Sequence, residues 1–270
     1  MFNYCPKCGK KNKEGWTYCP FCGVDLSEDE KIKAGFFIHD GTLVRYNGKE
    51  INVVIPEKVT VIDEIAFFNS GITSVEIPDG VREIGGSAFR YCGYLKEINL
   101  PDSVKTIGDC AFYNCASVRS VKIGSGLNDI GKAAFYGCKS ITGFEVDENN
   151  SCYSSNGGIL YDKTGAEIIK APEGLEVEGF TVPNGVLFIG ETAFSECKNL
   201  KSVIVPEGVK AVCDGAFLDC SNLERVVLGG DVSAIGKFAF YGTALKSITV
   251  PQDCIIGENA FPDDCEVILK

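Results

Sequence analysis

The chain has 270 residues, of which 45% are hydrophobic, and a formal net charge of −11 at pH 7. That apolar content excludes a chain disordered throughout, and the acidity argues against nucleic acid or an anionic membrane as the main partner, because phosphate surfaces reward Lys and Arg patches. No apolar run reaches the roughly 18 to 20 residues of a membrane helix, and MFNYCPKC shows no charged and apolar leader pattern; the reading is a soluble, cytoplasmic chain with its 14 cysteines in a reducing compartment.

The first predicted unit is residues 1–23, with CPKCGKKNKEGWTYCPFCG at its heart. Cys5, Cys8, Cys19 and Cys22 form two C-x-x-C pairs, each running into a glycine that lets the backbone curl around sulfur. Four thiolates at this spacing suit one tetrahedral, structural Zn2+ and leave no open position for catalysis. A redox role would need one C-x-x-C opening a helix after a strand, which nothing here supplies. The unit resembles a zinc ribbon, with Tyr4, Trp16 and Tyr18 available to cover the metal. Lys7, Lys10, Lys11 and Lys13 against Glu14 make this head locally basic, so nucleic-acid binding through the ribbon is the second functional reading. Residues 24–35, VDLSEDEKIKAG from Val24, are polar and read as a linker.

Residues 36–270 read as one solenoid. FFIHDGTLVRYNGKEINVVIP, residues 36–56, reads as a hairpin cap turning at Asn47-Gly48, a dipeptide suited to a two-residue loop. Then a 23-residue frame repeats: ITSVEIPDGVREIGGSAFRYCGY from Ile72, LKEINLPDSVKTIGDCAFYNCAS from Leu95, VRSVKIGSGLNDIGKAAFYGCKS from Val118, and three further copies from Val177, Leu200 and Leu223. Within the Leu95 copy, Ile98 and Leu100 point inward from a short strand while Glu97 and Asn99 point out. Pro101 ends the pairing, Val104 and Ile107 form a second inward edge, Gly108 permits a tight corner, and Ala111 with Phe112 fills the interior. About nine coils at about 4.8 Å spacing predict a rod on the order of 45 Å long.

The apolar strand, Pro, spaced Ile-Gly and Ala-Phe-x-x-Cys recur with eight Ala-Phe pairs, from Ala66-Phe67 to Ala260-Phe261. This pattern resembles the BspA-like leucine-rich repeat family over roughly residues 36–269. The resemblance implies a mainly β, right-handed solenoid with a parallel concave sheet and little regular helix. Residues 141–176 interrupt the frame and resemble the island coil of such arrays; Gly158 to Tyr161 and Ala166 to Ala171 are expected to pair across Asp162 to Gly165.

Cys92, Cys115, Cys138, Cys197 and Cys220 all stand three residues after a repeat Phe, a slot Ser70 and Thr243 share. One fold position explains all five as buried thiols bonded to turn backbone. The single histidine, His39, lies beside Asp40 and reads as an ordinary surface residue, so no enzyme is expected. The outward strand positions give Ser120, Lys122, Ile204, Arg225 and Val227 as candidate partner-binding residues, with Ile204 and Val227 an apolar patch near Arg225. The favoured function is a non-catalytic protein-interaction scaffold, with the ribbon as structural or second contact module. Some family members are exported adhesins, a host-protein-binding reading that the absence of a visible signal sequence disfavours.

Overall fold

The computed structural model describes residues 35–270, so the four ribbon cysteines and residues 24–34 of the linker lie outside the described residues. The described chain is built from short strands and turns with no helix among the described residues, wound into a solenoid of about ten turns. Each full coil contributes a strand of three or four residues to one wall and a strand of two residues to a second wall. Coils stack in parallel with identical register: Glu97–Leu100 lies against Ser120–Ile123, which lies against Gly143–Val146. On the second wall Val61–Ile62, Glu83–Ile84, Thr106–Ile107 and Asp129–Ile130 follow one another in the same way.

Alternation along the strands sets the packing. In Glu97–Leu100 the Ile98 and Leu100 side chains are buried and Glu97 and Asn99 are exposed, as the period of two requires. The corner then carries Ala-Phe inward. Phe67, Phe89, Phe112 and Phe135 stack face to face with centroids 4.7, 5.1 and 5.5 Å apart, and Phe194, Phe217, Phe240 and Phe261 repeat the column at 5.0, 5.2 and 5.7 Å. Such stacked pairs add about 0.5–1.5 kcal/mol each beyond their buried area.

Gly108 serves close approach between coils instead of a special dihedral. A Cβ there would sit 2.5 Å from the Gly86 nitrogen, and one on Gly236 would sit 2.4 Å from the Asp214 nitrogen. The left-handed conformation falls elsewhere, on the residue before each Ala-Phe: Ile65, Ser87, Cys110, Ala133, Thr192, Gly215, Phe238 and Asn259 all have φ between 51° and 60°. All but one of these carry a side chain, a cost that the surrounding ladder of hydrogen bonds holds in place.

The cap differs from the sequence expectation. Phe36–His39 and Thr42–Tyr46 form the hairpin, and its turn is Asp40-Gly41, with φ of 45° and 75°. Asn47-Gly48 follows the hairpin and has no positive φ. The strand that an Asn-Gly turn would have recruited, Asn52–Val54, instead pairs in parallel with Ser74–Glu76 and begins the long-strand wall. Asp-Gly meets the same dihedral demand as Asn-Gly, and pairing with the next coil decides between them.

The expected pairing in the island is present, between Ile159–Asp162 and Glu167–Lys170. A third strand, Tyr153–Asn156, extends it through a turn at Gly157-Gly158, with φ of 58° and 78°. Asn150, fully buried, pins the start of this meander: its Nδ2 donates to the Gly124 and Leu127 carbonyls and its Oδ1 accepts from the Cys152 and Tyr153 N–H groups. Glu167–Lys170 then opens a new second-wall sheet carried on by Phe188–Ile189, Ala211–Val212, Ala234–Ile235 and Ile255–Ile256. The island therefore does for the second half what the N-terminal hairpin does for the first. The buried apolar residues form two clusters that meet at Ile159 and Leu160, and the phenylalanine column breaks at the same place.

Candidate functional site

The long-strand wall presents the outward positions of every coil in rows. Ser202 is registered with Arg225 and Ile204 with Val227. Ile204 and Val227 are 48% and 42% exposed, so two apolar side chains lie side by side on open sheet with the exposed Arg225 one step along the strand. Branched residues are at home there through β-sheet propensity, but their exposure is not explained by packing. Ser120 and Lys122 stand on the other half of the molecule, on a sheet with no strand in common with the first. Lys122 is held by Glu145, 3.6 Å away on the neighbouring coil. The five candidate residues thus divide into a C-terminal group of three and an N-terminal group of two.

The cysteine ladder is chemically quiet. Cys92, Cys115, Cys138, Cys197 and Cys220 are all buried. Four of the thiols donate to the carbonyl of the preceding coil's phenylalanine: Cys92 to Phe67 and Cys115 to Phe89 at 3.1 Å, Cys138 to Phe112 at 3.2 Å, Cys220 to Phe194 at 2.9 Å. Cys197, first after the island, donates to Pro172 at 3.5 Å instead. The thiols bond to turn backbone as expected, and the bond links one coil to the one before it. Burial pushes the Cys92 and Cys197 thiols up to about 12. The Cys138 thiol beside Cys115, together with burial, raises Cys115, and burial raises Cys220. A thiol near 12 is thiolate at about one part in ten thousand at pH 8, and thiolate is the reactive form. Brief iodoacetamide treatment of the native chain is expected to mark the partly exposed Cys110 and Cys152 and spare all five ladder thiols, as read by peptide mass spectrometry. Labelling of a ladder thiol at a comparable rate would contradict the assignment.

His39 is exposed, with Nε2 3.3 Å from the Asp40 carboxylate. Sequence reading missed a polar cluster where the two halves meet. Lys170 Nζ lies 3.3 Å from Glu173 Oε1 and donates to Ser195 Oγ at 3.1 Å and to the Thr192 carbonyl at 3.3 Å. Glu173 Oε1 also accepts the Gly137 N–H at 2.8 Å, while Oε2 is buried without a partner. Burial raises the Glu173 carboxyl above the usual range, opposed by Lys170 and the Gly137 N–H. A serine and a lysine this close could suggest a nucleophile and its base, but Ser195 is fully buried and its hydroxyl donates to the Thr192 carbonyl at 2.9 Å. A group of metal-ligating side chains is not found among the described residues, and no helix among them is long and apolar enough to cross a membrane.

The BspA type leucine rich repeat region model matches residues 45–156 and 171–268 in six copies, and the zinc-ribbon domain model matches residues 4–23. The search of curated proteins gives no match. Among solved structures, the pneumococcal vaccine antigen PcpA is 19% identical, with a TM-score of 0.73 over 84% of this chain and 69% of that one. A leucine rich cell surface protein of Faecalibacterium prausnitzii is 23% identical, with a TM-score of 0.58 over 85% and 84%. A leucine-rich repeat protein of Bacteroides ovatus is 27% identical, with a TM-score of 0.54 over 87% of this chain and 64% of that one.

Proposed function

The chain belongs to the BspA-type leucine-rich repeat family, and from that premise we propose that it is a non-catalytic protein-binding module that presents its long-strand wall to a partner. Solenoids of this class offer extended surfaces to other proteins. The observation that carries the reading is the registered, exposed pair Ile204 and Val227 beside Arg225. An arginine beside an exposed apolar pair suits an interface centre, where Arg is enriched and the buried core is more apolar than the surrounding surface. A protein partner is favoured over nucleic acid by the charge of −11.

The test is capture from lysate under reducing conditions, with and without nuclease, comparing the full chain with Ile204→Asp plus Val227→Asp. A protein retained by the first and lost by the second, whatever the nuclease, is the expected result. Equal retention by both, or loss on nuclease treatment, would remove the wall from the mechanism.

At the head, Cys5, Cys8, Cys19 and Cys22 form a donor set of four thiolates that suits Zn2+. Zinc bound there would tie a unit too small to hold itself by apolar burial. One zinc per chain is expected by metal analysis of the native protein, falling to none in Cys5→Ser with Cys8→Ser. A cytoplasmic, reducing setting accords with the five ladder thiols, since each uses its S–H as a donor that oxidation would remove.

A further inference from the structure

Every inner coil of the solenoid hands three N–H groups forward from its Ala-Phe corner to the next coil. Ser87, Phe89 and Tyr91 donate to the Asp109, Ala111 and Tyr113 carbonyls, and Cys110, Phe112 and Asn114 donate to those of Lys132, Ala134 and Tyr136. The last corner of the first half, at Ala133, Phe135 and Gly137, meets the island in place of a regular coil. Gly137 donates to the Glu173 carboxylate at 2.8 Å. Ala133 and Phe135 N–H have no acceptor among the described residues. Both residues line a cleft of about 210 Å³ between the halves, with Ile130, Leu160 and Ile169 as its apolar lining.

We propose that this cleft binds a peptide segment of a partner protein, two of whose carbonyls, one residue apart, accept from the Ala133 and Phe135 N–H groups. Three features select a peptide. The two donors are separated by one residue, and in every regular coil the equivalent pair meets two carbonyls, also one residue apart, in the corner turn of the next coil, so a stretch of main chain supplies both acceptors. Gly137, third in the row, already holds an oxygen acceptor from outside the repeat frame. The lining offers no unmatched cation, with Lys132 3.2 Å from Glu191, Lys170 3.3 Å from Glu173 and Glu167 adding a further carboxylate, so a neutral main chain fits where a phosphate would meet excess negative charge. The cleft is separate from the Ile204 and Val227 surface, and either site can fail without the other.

Short random peptides displayed on phage would be selected on the full chain under reducing conditions, and the recovered peptide titrated by fluorescence anisotropy. Ile169→Trp, which fills the cleft, is expected to weaken it at least about tenfold, and Ile204→Asp with Val227→Asp to leave it unchanged. In the nitrogen-15-labelled wild-type chain the Ala133 and Phe135 amide protons are expected to move downfield and exchange more slowly, a readout that stands even if Ile169→Trp does not fold. Recovery of no peptide, binding that leaves both amides unmoved, or acetate or inorganic phosphate alone reproducing both shifts would overturn the proposal.

Discussion

Lys170→Met is expected to lower the stability of the fold by about 3–5 kcal/mol, the cost of stripping one partner from a buried ion pair. The side chains of Lys170 and Glu173 are 9% and 1% exposed, so the carboxylate left behind keeps only the Gly137 N–H. Adding Glu173→Gln should return a large part of the loss, because the amide oxygen still accepts from Gly137 and no charge remains in the interior. The pH dependence has a definite sign. Burial already raises the Glu173 carboxyl, and losing Lys170 removes an opposing influence, so the folded value rises further above the unfolded one of about 4.3. A carboxyl raised in this way favours the fold when protonated. Its contribution is complete below the unfolded value and lost as pH rises through the folded one. Urea denaturation of Lys170→Met should therefore show a smaller deficit at pH 5 than at pH 8. A deficit below about 1 kcal/mol, or one that shrinks as pH rises, would show that water reaches the pair.

Periodicity made much of this molecule readable, because a position repeated at a fixed period is effectively observed several times. Ile98, Leu100, Val104, Ile107, Ala111 and Phe112 lie where a single copy of the repeat places them, and all are buried. The five ladder cysteines were readable as one structural slot for the same reason. What escaped is what occurs once or depends on distant chain. Asn47-Gly48 and Asp40-Gly41 satisfy the same local rule, and only the pairing of Asn52–Val54 with Ser74–Glu76 chooses between them. Left-handed Ile65 and Thr192 break the local preference of branched residues, since the corner geometry is imposed by neighbouring coils. Lys170, Glu173 and Ser195 look like ordinary surface residues in sequence, and their burial follows from the way the island closes on the next coil. Of the candidate surface, Ile204 and Val227 were legible as outward apolar residues in consecutive copies; the forward-facing N–H groups of Ala133 and Phe135 were not, because Phe135 looks like its counterparts in every other copy and the position of Ala133 varies from copy to copy.

The same division into halves gives the second large effect. Phe112 is fully buried and stacked between Phe89 and Phe135, and truncating such a ring costs about 3–5 kcal/mol through lost contacts and the cavity left behind. In a stacked array each coil touches only its neighbours, so the loss falls on the cooperative unit that contains it. Here that unit ends at the island. The phenylalanine column stops at Phe135, with Phe144 edge-on against it, and resumes at Phe194 with Phe180 tilted against that ring. The bonds that cross the gap include Lys132 with Glu191, Gly137 N–H with the Glu173 carboxylate and Gly174 N–H with the Ile141 carbonyl. Phe112→Ala is therefore expected to speed amide exchange across residues 52–146 by about a hundredfold or more, since each 1.4 kcal/mol is a factor of ten, and to change residues 179–250 by less than about tenfold. Phe217→Ala should give the mirror pattern. Segment-resolved exchange measured by mass spectrometry separates the outcomes: equal acceleration in both halves for either variant would mean that the island transmits stability and that the two cores fold as one.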